Sequence, residues 1–93
     1  MGKLTDSEIQ QRLQGVPQWR LTGQMISRTF QFKDFAGSMQ FVNRVAGLAE
    51  KANHNPDIDI RWNKVTLALT THDSGGLTEN DFNLARQIDG AAA

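Results

Sequence analysis

Two residues in this 93-residue chain are histidines, and both stand where one element gives way to another. His54 lies in "EKANHNPDIDIRW", between a stretch with helical spacing and one with strand alternation. His72 lies in "TTHDSGG", at the end of a second alternating stretch, and Asp81 follows at the start of another helical pattern. Histidine can both give and take a proton near neutral pH, so a pair suits a reaction that needs an acid at one atom and a base at another. Dehydration is such a reaction: one group protonates the departing hydroxyl and another removes a proton. The other chemistry open to these residue types is metal binding. His54, His72 and a carboxylate from Asp57, Asp73 or Asp81 would make a two-His, one-carboxylate set. No His-x-x-x-His pair and no cysteine supports that reading. Asp57 and Asp59 alternate with Ile58 and Ile60, which fits a solvated sheet face. Asp81 also fits the acidic slot of a helix capping box, so it has a purely structural use as well.

Whether the histidines act together depends on the elements that carry them. Thr5-Asp6-Ser7-Glu8 has capping-box spacing and predicts a first helix running to about Gln14, stopped by Gly15 and Pro17. "QWRLTGQMISRTFQF" predicts two strands around Thr22-Gly23, with Trp19 and Leu21 alternating on the first and Met25 to Phe32 forming the second. Asp34 opens the longest helix, Phe35 to Asn53, which ends ahead of Pro56. Two rows of apolar residues run along it: Phe35, Met39, Val42, Ala46 and Ala49, then Phe41, Val45, Leu48 and Ala52. Together they are wider than the ~100° stripe that one sheet covers. One row is expected to pack on the sheet and the other either on a second subunit or under elements of the same chain.

"DIDIRW" and "VTLALT" alternate strictly, with Asn63-Lys64 expected as the hairpin turn between them. That register sets Trp62 against Val65, Ile60 against Leu67 and Ile58 against Leu69, so all the apolar residues share a face. Continued, it sets Asn55 against His72 and brings His54 and His72 to the same end of the sheet. Thr78 then caps a last helix to about Ile88, with Asp81 in its first turn, and the terminal "GAAA" is expected to fray. The predicted class is α+β: one domain over residues 1–93, a four-stranded antiparallel sheet with three helices on one face, in the order α-β-β-α-β-β-α.

Composition narrows the function further. Lys plus Arg and Asp plus Glu number 10 each, giving a formal charge of zero and no basic footprint for nucleic acid or an anionic membrane. With no cysteine, disulfides and thiolate metal sites are excluded. "MGKLTDSEIQQ" lacks the apolar core of a signal peptide, so a cytoplasmic location is expected. A chain this short has a marginal core, and the strand region "LTGQMISRTFQF" carries only Arg28 before Lys33 to guard an edge. A homo-oligomer is therefore expected, a dimer ahead of a tetramer.

Glu50-x3-His54-Asn55-Pro56, followed by Trp62, His72 and Asp81 at these spacings, resembles the signature of the pterin-4a-carbinolamine dehydratases. "TTHDSGGLTENDFNLA" is similar to that family's C-terminal stretch, and the resemblance covers nearly the whole chain. It implies a hydro-lyase that removes water from 4a-hydroxytetrahydropterin to give quinonoid dihydropterin, in the recycling of tetrahydropterin, with no metal and no bound organic cofactor. By the same resemblance His54 and His72 are the catalytic histidines and Asp81 is the acidic residue that supports them. Asn53, His54 and Asn55 would form one substrate-contacting segment, and Thr70, Thr71, His72 and Asp73 the other. Asn55 departs from the animal members, which have a second histidine there. Asn hydrogen-bonds but does not shuttle protons at neutral pH, which leaves two titratable groups. Animal members also act as non-enzymatic dimerisation cofactors of a homeodomain transcription factor, so an interaction module is the alternative that the resemblance carries.

Overall fold

The computed structural model describes residues 2–93. Helix α1 (Asp6–Leu13) starts where the sequence places it. The Thr5 N–H donates to Glu8 Oε1 at 2.9 Å, and the Glu8 N–H donates to Thr5 Oγ1 at 3.1 Å. Strands β1 (Arg20–Thr22) and β2 (Met25–Gln31) form a hairpin, helix α2 spans Phe35–Ala52, strands β3 (Asp57–Arg61) and β4 (Lys64–Leu69) form a second hairpin, and helix α3 spans Glu79–Ala92. The architecture is α+β in the order α-β-β-α-β-β-α, with an antiparallel sheet ordered β1-β2-β4-β3. A short 3₁₀ turn, His72–Ser74, joins β4 to α3.

Alternation decides which face of the sheet is dry. Ile26, Phe30, Val65, Leu67 and Leu69 point to the helices and are buried, while Thr29 and Thr66 meet across the other face with their hydroxyls 2.8 Å apart. The core closes around Phe41 of α2, whose ring lies 4.7 Å from Phe30 and 4.9 Å from Phe32. Phe82, Leu84, Ala85 and Ile88 of α3 complete it.

Three expectations give way to tertiary structure, and one open alternative is decided. The β3–β4 register is displaced by two residues: Ile60 pairs with Val65 and Ile58 with Leu67, so the turn is Trp62-Asn63 rather than Asn63-Lys64. The cause is a clamp from outside the hairpin. Asn63 accepts from the Phe32 N–H at 2.8 Å through its carbonyl and donates Nδ2 to the Phe32 carbonyl at 3.1 Å, while Ser38 Oγ donates to the Trp62 carbonyl at 2.6 Å. Trp62 takes a φ of 51° to meet them. A shift of two preserves the side-chain parity, so the apolar face survives. Second, β2 is an interior strand, and the free edges belong to β1 and β3. Third, of the two alternatives open for the rows of α2, Phe41 and Val45 are buried within their own chain, and in the other row Ala49 is buried while Phe35 and Ala46 are exposed. Fourth, α3 continues through Gly90 to Ala92. Trp19 precedes β1 and is buried with its Nε1 donating to Asp89 Oδ1 at 2.8 Å, but Leu21 beside it stays exposed at the sheet edge.

Candidate active site

The site is built where three chain segments end. Helix α2 stops at Asn53, which adopts a left-handed conformation with φ 50°. The Asn53 N–H bonds the Glu50 carbonyl at 3.2 Å and the His54 N–H reaches back to the Ala49 carbonyl at 3.1 Å. This pairing is a Schellman stop, in which one residue of positive φ satisfies the last helical carbonyls. Asn is among the few non-glycine residues that take this conformation readily. The stop therefore fixes the backbone of His54 before Pro56 is reached. Glu50 itself is exposed on the last turn.

Helix α3 begins opposite. Asp81 occupies the third helical position and accepts from the Thr78 N–H at 2.9 Å through Oδ2. The same oxygen accepts from Thr71 Oγ1 at 2.8 Å, and Oδ1 lies 2.5 Å from His54 Nε2. Thr71 and Thr78 also meet through their hydroxyls at 2.9 Å. Asp81 is 0% exposed, and the charge-assisted bonds it accepts are what make such burial tolerable. It thus serves as a helix cap and as the partner of His54 at once. Asp81 lies in the first turn of α3, where the positive end of the helix dipole meets a carboxylate.

A carboxylate facing one ring nitrogen fixes the tautomer. In a neutral imidazole this contact places the proton on Nε2 and leaves the lone pair on Nδ1. His54 opens onto a cleft of about 260 Å³. One wall is Asn53, His54 and Asn55, and the other is Thr70, Thr71, His72 and Asp73. His72 is exposed at the start of the 3₁₀ turn, which Gly75 closes with a φ of 74°. Asp81 is not part of the cleft wall. It stands behind His54, so its effect on anything bound passes through the imidazole. Asp57 begins β3 and is exposed, and among the described residues no three His, Asp or Glu side chains gather in a metal-ligating group. Thr71 is the residue whose structural part the spacing did not indicate: its hydroxyl joins Asp81 and Thr78, a link visible only once β4 and α3 are side by side.

The sequence profile of the family described as "Pterin 4 alpha carbinolamine dehydratase" matches residues 2–91. The chain belongs to the pterin carbinolamine dehydratase family. A relative from Acidobacterium capsulatum, provisionally named a pterin-4-alpha-carbinolamine dehydratase, is 54% identical over 89 residues, covering 96% of this chain and 97% of its own. A Roseiflexus relative with the same provisional name is 56% identical over 87 residues, 94% of each chain. Among solved structures, a transcriptional coactivator/pterin dehydratase from Brucella melitensis superposes with a TM-score of 0.95 at 34% identity, over 99% of this chain and 100% of its own. A pterin dehydratase-like protein described as a RuBisCO assembly factor in the alpha-carboxysome superposes less closely, with a TM-score of 0.69 at 26% identity over 81% of this chain and 89% of its own. Pterin dehydratase folds are thus found in proteins with more than one described role. Among the described residues no helix is long and apolar enough to cross a membrane.

Proposed function

We propose that the protein is a 4a-hydroxytetrahydropterin dehydratase acting in the cytoplasm. The observation that carries the reading is His54, held by the buried Asp81 at 2.5 Å and opening onto the cleft that His72 shares. In the substrate, C4a bears a hydroxyl and is bonded to N5. Protonation of that hydroxyl lets the N5 lone pair expel it as water. The C4a–O bond breaks, C4a=N5 forms, and the N5 proton passes to a base, giving the quinonoid dihydropterin. His54 suits the base, because its Nε2 proton is committed to Asp81 and Nδ1 keeps the lone pair. His72, exposed to solvent, suits the acid and can be reprotonated from water. Asn53, Asn55, Thr70, Thr71 and Asp73 offer amide, hydroxyl and carboxylate groups of the kind that a pterin's ring nitrogens, oxygen and amino group would bond. No step of this reaction requires a metal or an organic cofactor.

The assembly proposed with it is a homo-oligomer, a dimer before a tetramer. Strand β3 is a free edge, and Ile58, Trp62 and Phe35 are 41%, 64% and 50% exposed. Ser38 Oγ donates to the Trp62 carbonyl, which ties the end of the β3–β4 hairpin to the first turns of the helix that carries Phe35. A second copy across that edge would cover them. The same surface supports the alternative, an interaction module for another protein. Stopped-flow dehydration of chemically generated 4a-hydroxytetrahydropterin tests the catalytic reading. Acceleration over the spontaneous reaction, in proportion to protein, is the expected result, and its absence would leave the interaction module.

A further inference from the structure

Strand β1 accompanies β2 only from Arg20, opposite Ser27, to Thr22, opposite Met25. Before Arg20 the chain turns, with the Trp19 N–H donating to the Val16 carbonyl at 3.0 Å. Strand β2 runs on to Gln31 beside β4. The sheet therefore has a step at its β1 edge, and a cleft of about 450 Å³ lies beside it. Gln18, Arg20, Ser27, Arg28 and Thr29 line this cleft, which shares no residue with the one that holds His54. Every one of these side chains can donate a hydrogen bond, and none is a carboxylate.

Two guanidinium groups flank the step. Arg20 is exposed, and among the described residues no ion pair engages it. It stands directly opposite Ser27, so both side chains leave the sheet on the face without helices, as Thr29 does. Arg28 leaves on the helix side. Its guanidinium lies 4.1 Å from the centre of the Phe30 ring, and its Nη1 donates to Asp89 Oδ1 at 2.7 Å. The same oxygen accepts from Trp19 Nε1 at 2.8 Å, so Asp89 anchors Arg28 with part of its own charge already engaged. That anchoring bond uses one of the five N–H groups of Arg28. A carboxylate ligand holds two oxygens in one plane and pairs with a single fork, whereas donors arriving from both faces of a sheet suit the tetrahedral oxygens of phosphate. We infer that this cleft binds a phosphate group, with Arg20 and Ser27 as its principal contacts and Arg28 as a fixed charge. The inference is independent of the dehydratase reading. The oligomer proposed across β3 leaves the cleft open, because β1 and β3 are the opposite edges of the sheet.

Amide NMR shifts of the full chain test the site and need no turnover. Inorganic phosphate, titrated at constant ionic strength, should move the Arg20, Ser27 and Thr29 signals saturably, and acetate at the same concentrations should not. Arg20→Gln, a change at an exposed position, should weaken phosphate binding about ten-fold, the effect of losing a hydrogen bond to a charged group. Ribose 5-phosphate identifies the source of the phosphate. Tighter binding than inorganic phosphate assigns a small phosphate monoester, equal binding assigns the free ion, and either supports the site. No shift in this cleft at tens of millimolar phosphate would overturn it. So would an equal response to acetate, or a phosphate affinity that Arg20→Gln leaves unchanged.

Discussion

Strand β3 is bounded by two non-glycine residues in the left-handed conformation, Asn53 a few residues before it at φ 50° and Trp62 just after it at φ 51°. The backbone does the same thing at both ends, for different reasons. At Asn53 the conformation is nearly free of cost for the residue type, and it satisfies carbonyls of α2 while it fixes His54. At Trp62 it is unfavourable for the residue type by roughly 1–2 kcal/mol, and is held by bonds from Ser38 and through Asn63 to Phe32. One end buries polar groups and satisfies them. The other leaves a large apolar side chain 64% exposed. Near-identical φ values therefore mark a polar cleft at one end of the strand and an uncovered surface at the other. Only the chemistry of the neighbours tells them apart.

If the Asn53 end is the catalytic one, the largest effects should come from its histidines. His54→Ala should lower dehydration by ~10²-fold or more, and His72→Ala by at least ~10-fold, in stopped-flow assays with circular dichroism unchanged. Trp62→Ala should retain turnover; loss of turnover there with both histidine variants active would reverse the comparison. The next effect falls on Asp81. Asp81→Ala removes a cap worth ~1 kcal/mol and strips acceptors from the Thr71 hydroxyl and the buried Thr78 N–H, for a total of about 2–3 kcal/mol in urea unfolding. Asp81→Asn should keep more of that stability yet still lower turnover, because an amide no longer holds His54 in one tautomer.

At the Trp62 end the expected effect is on mass. Ile58→Lys combined with Trp62→Ser should shift light scattering from an oligomer to a monomer. A monomer mass for the unmodified protein at micromolar concentration would remove the assembly proposal. The smallest structural effect lies away from both ends. The Glu8 carboxyl is held below its ordinary value by the Thr5 backbone N–H and then by the Thr5 hydroxyl. Its stabilisation is present above the ordinary carboxylate range and is lost as pH falls through the lowered value. Glu8→Gln should flatten that acid-side dependence of the melting temperature. Chelator should leave turnover unchanged, and its loss on metal removal would return the two-His, one-carboxylate reading.

Elements governed by local chemistry were legible in the sequence. The Thr5–Glu8 box, the Asp34 cap and the alternation in β3 and β4 depend on residues a few positions apart, and each stands close to where its pattern places it. The convergence of His54, His72 and Asp81 at one end of the sheet was also legible, although through a register two residues off. It survived because parity fixes the face, and because either register brings the end of β4 beside the start of β3. What spacing could not show was set by contacts between distant segments: Asn63 clamping Phe32, the interior place of β2, and the burial of Phe41 and Val45 within their own chain. Thr71 belongs to the same class, since a threonine at a strand end reads as surface until α3 is docked against it.

Asp81 gives the molecule a thermodynamic linkage. One carboxylate caps α3 and holds the imidazole that faces the cleft, so docking of the first turn of α3 and occupancy of the cleft share a free-energy term. A ligand that prefers His54 as Asp81 holds it should slow hydrogen exchange at the Thr78 amide, which lies behind the cleft wall. By reciprocity, a substitution that loosens the start of α3 should weaken ligand binding by the same factor, even where every residue lining the cleft is unchanged.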